Sequence, residues 1–195
     1  AYGVTCTSPQ FPQAIELLQT IRQADPGKRI IVVGPHATVM PESCGLFDCV
    51  VMGDGEEAIL EAIQPGARKV IDHASDTVKG ELHWRRPARH LIDMESYRYS
   101  LLGRKGTSMM LSQGCPYGCV YCCGRLLPYY RRVRTRNVDD VVLEMRSLVE
   151  MYGIRAVMAF DDEVNLLNEP LLEFCYKVAQ LGMKFRAFVK ANLFT

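Results

Sequence analysis

The sequence lacks several features that would assign a class of protein at once. Its 23 Lys and Arg residues are balanced by 22 Asp and Glu residues, so a net charge of +1 provides no overall field to attract nucleic acid or an anionic membrane. No apolar run approaches the roughly 18 residues of a membrane span, and the opening AYGVTCTSPQ lacks the basic region and apolar core of a signal peptide. We therefore expect a cytoplasmic protein that does not span a membrane.

The sequence also lacks an initiating methionine, and it opens almost inside an apolar, strand-like run. Its last residues, FRAFVKANLFT, are typical of a strand and its exit loop. We therefore expect the chain to be a piece of a longer protein.

The cysteines are not expected to form a disulfide framework. The cytoplasm is reducing, and cysteines there more often serve as metal ligands, reactive thiols or small buried residues. Three of the eight, Cys115, Cys119 and Cys122, form a CxxxCxxC pattern in CPYGCVYC, and Cys123 follows directly. A closed zinc site usually needs a second CxxC pair or nearby histidines, which the chain does not offer. Three thiolates on one loop favour a [4Fe–4S] cluster with one open iron, with zinc binding and packed thiols as the alternatives.

Short apolar runs alternate with helical patterns along most of the chain, which predicts βα units and an α/β fold with parallel sheet. Residues 73–105 interrupt this alternation and are expected to form an irregular linker. We expect residues 1–72 to form one unit of βα repeats and residues 106–195 to form the first half of a parallel barrel. The predicted strands are 2–5, 30–33, 49–52, 107–111, 156–160 and 185–189.

Small or polar loops follow the first three predicted strands, at residues 5–8, 34–38 and 53–56. Ligands of open α/β sheets lie beyond the carboxyl ends of the strands, so these loops could share one crevice. The simpler alternatives are that GDGEE is an acidic turn favouring a helix N-terminus, and that His36 only hydrogen-bonds its own loop.

In the second half, DDE at residues 161–163 follows the strand at 156–160. These residues could cap the next helix or bind a divalent ion. The run GRLLPYYRRVRTR could contact RNA, but one short basic run in a neutral chain is more often a solvated face or a packing segment. Nucleic acid is therefore not the expected partner.

The pattern CxxxCxxC with Tyr121 before its last cysteine resembles the signature of the radical S-adenosylmethionine (radical SAM) family. SQGCPYGCVYC and the following RVRTRNVDDVVLEMRSLVEMYGIRAVMAFDDEVNLL resemble the cobalamin-dependent branch of that family. The segments VTCTSP, VVGPHATVMPE and FDCVVMGDGEEAI resemble the later strands and loops of a cobalamin-binding Rossmann-like domain, and PARHLIDMESY resembles the entry into the barrel.

This resemblance implies cofactors and a reaction. Cys115, Cys119 and Cys122 would hold the cluster, Tyr121 would lie beside the adenine of SAM, and Asp161 and Asp162 would contact its amino group. Reductive cleavage of SAM would give a radical that abstracts a hydrogen atom from the substrate, and cobalamin would carry a methyl group to an unactivated position. The alternatives are a rearrangement, cyclisation or oxidation without methyl transfer, and an incomplete fragment that only binds a cluster.

For cobalamin, the resemblance implies contacts from residues in the three loops of the first domain: Thr7, Ser8, Gly34, Pro35, His36, Gly53, Gly55 and Glu56. The implied partners are a small-molecule substrate, of natural-product or lipid type, and an external electron donor such as a flavodoxin or ferredoxin.

Overall fold

The fold is that of a computed structural model, which describes residues 1–74, 80–82 and 86–193, with the backbone alone for residues 80–82 and 125. The chain divides into two compact units, Ala1–Val78 and Lys79–Thr195. A search of the described residues for a helix that is both long and apolar enough to cross a membrane finds none.

The first unit is built on a parallel four-stranded sheet in the order β1-β2-β3-β4. Its two central strands are apolar, and the first three residues of each are buried, as expected where both faces of a parallel sheet are covered. The strands are β1 (Tyr2–Thr5), β2 (Ile30–Val33), β3 (Cys49–Met52) and β4 (Val70–Asp72), and the helices between them are α1 (Phe11–Ala24), α2 (Pro35–Val39) and α3 (Gly55–Ala62).

The second unit contains two sheets, in the orders β11-β10-β7-β6 and β5-β9-β8. In the first sheet β7, β10 and β11 are parallel, and two helices occur in the connections between them, as predicted for half of a barrel. The strands are β5 (Gly80–Leu82), β6 (Ser100–Leu101), β7 (Arg104–Met109), β8 (Ser112–Gln113), β9 (Arg134–Arg136), β10 (Ala156–Ala159) and β11 (Lys184–Arg186), and the helices are α4 (Val138–Tyr152) and α5 (Asn168–Ala179).

The local sequence of helix α4 determines where the helix begins and ends and which of its faces packs into the core of the second unit. The side chain of Asn137 caps its N-terminus by accepting hydrogen bonds from the backbone N–H groups of Asp139 and Asp140, at 2.9 and 3.3 Å. Gly153 ends the helix in the left-handed conformation, at φ 62°. The apolar stripe between these caps packs into the core with residues of β10 and α5, through Val141, Val142, Met145 and Leu148.

Several details of the predicted strands are wrong. The strand predicted at 107–111 is β7, which starts within the predicted linker and ends at Met109, and the strand predicted at 185–189 ends at Arg186. The linker prediction missed β5, which pairs with the distant β9, and β6, which is only two residues long and pairs with the adjacent β7; residues 75–79 and 83–85 of that segment lie outside the described residues. Strand β4 was also missed, because three residues are too short for a periodic signal.

Candidate cofactor sites

The cysteine loop lies between β8 and β9 of the second unit. Backbone hydrogen bonds set its local conformation: Cys115 N–H donates to the carbonyl of Tyr130 at 2.9 Å, and Cys122 N–H donates to the carbonyl of Cys119 at 3.0 Å. Cys115 and Cys119 are partly buried and Cys122 is exposed. The loop therefore presents three free thiols from one compact stretch of backbone.

The spacing of these thiols favours a cluster over a single ion. Among the described residues, no three His, Cys, Asp or Glu side chains converge closely enough to hold one metal ion. A single zinc ion draws its ligands into one tetrahedron, whereas each cysteine of a cubane cluster binds a different iron atom. Three cysteines on one loop therefore suit a cubane, in which each would bind its own iron atom.

Acidic neighbours affect the first cysteine of the pattern. Partial burial raises the pKa of the Cys115 thiol, a hydrogen bond from the backbone of Tyr117 lowers it, and the nearby carboxylates of Asp162 and Glu163 raise it, with a net increase. Because iron binds the thiolate, the proton of Cys115 must leave when a cluster forms.

The three acidic residues after β10 take different environments. Asp161 is buried, at 1% exposure, and its carboxylate accepts hydrogen bonds from the backbone of Leu111 and Ser112. Asp162 is exposed and accepts a hydrogen bond from Gly114 N–H at 2.9 Å. Glu163 keeps a buried carboxylate oxygen that has no hydrogen-bond partner among the described residues. Its position beside Cys115 makes Glu163 a candidate that the sequence assignment, limited to Asp161 and Asp162, missed.

Two tyrosines of the cysteine loop lie in contrasting surroundings. Tyr121, predicted to lie beside adenine, is 89% exposed, so its ring is accessible to a ligand. The ring of Tyr117 is covered by the Lys190 ammonium, whose Nζ lies 3.3 Å from the ring centroid. Lys190 is held in turn by Asn165, which donates to its carbonyl and accepts from its N–H.

The three predicted loops of the first unit meet at the carboxyl ends of its strands. His36 N–H donates to the carbonyl of Cys6 at 3.1 Å, and Gly53 N–H donates to Thr38 Oγ1 at 3.0 Å. These bonds join the loop after β1 to the one after β2, and the latter to the loop after β3. Segments 5–8, 34–38 and 53–56 therefore lie together, as their positions after adjacent parallel strands predict.

His36 lies inside this group of loops. Its ring is buried, at 4% exposure, and stacks on Phe11 with a centroid distance of 4.0 Å. Nδ1 is 2.9 Å from Ser8 Oγ and Nε2 is 2.8 Å from Ser43 Oγ. Both ring nitrogens are thus occupied within the protein, which supports the simpler alternative that His36 organises its own loops.

The glycines predicted to lie against a cofactor fall into two groups. Gly34 and Gly53 have φ of 94° and 84°, and a Cβ on either would lie 2.5 Å from a protein atom, Thr5 Oγ1 or Ala74 N, so the fold itself requires them. Gly55, at the start of α3, has no atom within 4 Å of the space a Cβ would take, so a ligand could approach its backbone.

The other predicted residues of the first unit lie at the surface. Thr7 and Pro35 are exposed, and Thr7 Oγ1 donates to Gln10 Oε1 at 2.9 Å. Glu56 is exposed in the first turn of α3, where its charge favours the helix N-terminus.

The arginines of GRLLPYYRRVRTR are only partly available to a partner. Arg134 and Arg136 are buried, at 4% and 7% exposure. Arg134 donates to Gln113 Oε1, and Arg136 donates to Glu144 Oε2 at 2.8 Å. Arg131 is exposed, but it donates to the carbonyl of Pro116 at 2.9 Å. Much of this run therefore supports the second unit and its cysteine loop.

Comparisons with known proteins extend these observations. Residues 1–63 match the family described as B12 binding domain. Over 93% of its length the chain is 27% identical to an uncharacterized methyltransferase of Pyrococcus horikoshii, covering 43% of that protein. It is 24% identical, also over 93%, to the anaerobic magnesium-protoporphyrin IX monomethyl ester cyclase of Cereibacter sphaeroides, covering 33% of it. The chain thus spans less than half the length of these curated relatives.

A solved structure is similar across both units. The radical S-adenosylmethionine methyltransferase TsrM of Kitasatospora setae, with cobalamin and a [4Fe-4S] cluster bound, matches 92% of the chain at a TM-score of 0.61 and 20% identity, with 40% of TsrM covered. The matched proteins together confirm that the chain resembles the cobalamin-dependent radical SAM family, and they confirm the α/β fold that this resemblance implies, a partial cobalamin-binding domain followed by half of a radical SAM barrel.

Proposed function

We propose that the chain provides the cobalamin-binding loops and the cluster-binding half-barrel of a radical SAM enzyme that methylates an unactivated position of a small-molecule substrate. The observation that carries the proposal is that the loop with the three free thiols begins beside the carboxylates that follow the next parallel strand: Asp162 accepts from Gly114, and Asp162 and Glu163 lie near Cys115. Carboxylates next to an open iron suit a ligand that carries an ammonium group, as SAM does.

The chain's own residues have distinct parts in this function. Cys115, Cys119 and Cys122 hold the cluster, which supplies the electron for reductive cleavage of SAM. The exposed ring of Tyr121 can stack on adenine. Asp162 and the unpartnered oxygen of Glu163 are the available carboxylates beside Cys115 for an ammonium group. A direct contact of Asp161 with SAM stays a prediction.

The first unit suits a cofactor with a large polar periphery. Its three loops meet at one edge of the sheet, Gly55 leaves open space against its backbone, and Ser8, Thr7 and Glu56 present polar side chains. Cobalamin, which would carry the methyl group, is the ligand we assign to this edge. The electron donor, a flavodoxin or ferredoxin, and the cytoplasmic location are parts of the same proposal.

The first test is anaerobic reconstitution with iron and sulfide. We expect about four irons per chain, the content of a cubane, and an electron paramagnetic resonance signal that SAM perturbs. A Cys119→Ala variant should lose both. If the folded wild-type chain takes up no cluster, the proposal is contradicted. If it takes up a cluster but does not bind cobalamin, only the assignment of cobalamin to the first unit is contradicted.

A cyclisation without methyl transfer is the second candidate. It is favoured by the similarity to the anaerobic cyclase, which extends over as much of the chain as the similarity to the methyltransferase. Transfer of label from methyl-labelled SAM to a product, measured on the chain or on a longer protein containing it, separates the two reactions.

A further inference from the structure

The strongest unexplained feature of the second unit is the buried carboxylate of Asp161. Both of its oxygens lie 3.1 Å from Leu111 N, and Oδ1 also accepts from Ser112 N and, at 2.7 Å, from Ser112 Oγ. Burial raises its pKa, and the hydrogen bonds from Ser112 and Leu111 act against that increase without cancelling it. The carboxylate oxygens of Asp161 thus accept hydrogen bonds from the residues that lead into the cysteine loop.

Asp162 continues the same contact one step further along the loop. Its Oδ2 accepts from Gly114 N–H, in the residue directly before Cys115. Gly114 has φ 94°, and a Cβ there would lie 2.1 Å from the carbonyl oxygen of Arg132, so the backbone is enclosed from the opposite side. Cys115 N–H donates to Tyr130. The backbone from Leu111 to Cys115 is therefore fixed between the residues after β10 and the segment 130–132.

We propose that Asp161 and Asp162 are positioning residues that hold Cys115 in place for the cluster, with Asp161 acting only through the loop. This inference rests on the proposed function. Two backbone N–H groups and one hydroxyl satisfy a buried carboxylate without any cation, so Asp161 needs no ammonium ligand to be stable in its site. Its 1% exposure also leaves no surface for a ligand to contact.

The two possible roles of Asp161 predict different results before SAM is added. If Asp161 positions the loop, Asp161→Asn removes the negative charge that accepts these bonds and turns an NH2 group toward the N–H of Leu111, the donor that both carboxylate oxygens share. The cluster should then be held about 10- to 100-fold more weakly against a chelator in the absence of SAM. If Asp161 contacts SAM directly, the variant should hold the cluster as wild type does and lose only the change that SAM causes in the electron paramagnetic resonance signal.

Ser112→Ala provides a second variant that is independent of SAM binding. It removes the hydroxyl donor to Asp161 and introduces no new polar group, so weaker retention of iron is again expected. Glu150→Gln, an exposed position on α4, removes one negative charge away from the loop and should retain iron as wild type does. Normal retention in both Asp161→Asn and Ser112→Ala would overturn the proposal, and if Asp161→Asn does not fold, Ser112→Ala decides.

Hydrogen exchange of the cluster-free chain separates this inference from the proposed function. In wild type the amides of Leu111, Ser112 and Gly114 should be protected, and Asp161→Asn should speed exchange at Leu111 and Ser112 by about tenfold or more. Exchange that is equally fast in wild type and Asp161→Asn would contradict the inference. A chain that shows this difference but takes up no cluster would instead contradict the proposed function alone.

Discussion

Arg136 donates a hydrogen bond of 2.8 Å to Glu144, and both side chains are almost fully buried, at 5% and 6% exposure. The other oxygen of Glu144 accepts from Arg89 at 3.0 Å. One carboxylate on α4 thus joins β9 to the segment that precedes β7. From the sequence alone, the run GRLLPYYRRVRTR could bind RNA. In the structure one of its arginines, Arg136, forms an internal ion pair instead.

Removal of Glu144 should destabilise the second unit strongly. Glu144→Ala leaves the guanidinium of Arg136 buried without a counter-ion, which typically costs about 3–5 kcal/mol. We expect the loss in the free energy of unfolding measured by urea titration with a probe in the second unit. Glu150→Ala, an exposed position on the same helix, should change it by less than about 0.5 kcal/mol. Equal effects of the two substitutions would contradict a buried pair.

The first unit should lose stability in acid through Asp48. Burial raises the pKa of Asp48, but hydrogen bonds from Arg22 and from the backbone of Ile30, at 2.5 and 2.7 Å, outweigh it and the pKa is lowered. A lowered pKa stabilises the folded state fully above the ordinary aspartate range, and this contribution disappears as the pH falls through the lowered value.

Urea unfolding of wild type and Asp48→Asn between pH 7 and pH 3 measures this contribution. The variant should be less stable at pH 7, and the difference in the free energy of unfolding should shrink toward the acid end. A difference that stays constant over this pH range would show that the charge of Asp48 is not its source.

The hydrogen bonds around His36 predict which ring nitrogen carries the proton. Ser43 Oγ lies 2.7 Å from the carbonyl oxygen of Met40, which can only accept, so Ser43 donates there and accepts from His36 Nε2. In the neutral ring Nδ1 then accepts from Ser8. Side-chain nitrogen shifts in NMR spectra should show the Nε2–H tautomer, and a proton on Nδ1 instead would contradict this arrangement.

Substitution of Ser43 should show how much its hydrogen bond with His36 contributes to the stability of the first unit. Ser43→Ala leaves a buried N–H of His36 without its acceptor, at a cost of about 1–3 kcal/mol in the free energy of unfolding of the first unit. Gln19→Ala, at an exposed position of α1, is the matched control and should have little effect. A Ser43→Ala variant as stable as the control would mean that water or another group replaces the hydroxyl.

Much of the fold could be predicted from the sequence because its signals are local. The capping side chain of Asn137, the apolar stripe of α4 and the run Ile30–Val33 each fix an element within a few residues. The alternation of strands and helices predicted the parallel sheet of the first unit, and with it the three loops at one edge of that sheet.

The details of the site could not be predicted because they depend on contacts between distant residues. The sequence DDE alone suggests that Asp161 is an exposed ligand. In the structure Asp161 is buried against the backbone that follows the end of β7 at Met109, and it accepts a hydrogen bond from Leu111, fifty residues earlier in the chain. His36 reads as a contact to cofactor until Ser8 and Ser43 lie on either side of its ring. In both cases a polar side chain predicted to bind a cofactor satisfies its neighbours in the chain.

The cysteine loop should also depend on the contact between Lys190 and Tyr117. An ammonium 3.3 Å from a ring centroid gives a cation–π interaction of about 0.5–2 kcal/mol, depending on how far it is removed from water. Lys190→Met keeps most of the side-chain volume but removes the charge, Tyr117→Phe keeps the ring face, and Tyr117→Leu removes it. Combining Lys190→Met with each change at Tyr117 in double-mutant cycles on the free energy of unfolding should give a coupling of that size with Tyr117→Leu and almost none with Tyr117→Phe. No coupling in either cycle would contradict the contact. Equal coupling in both cycles would assign the interaction to the tyrosine hydroxyl rather than to the ring. The segment after β11 would then support the cysteine loop by a hydrogen bond.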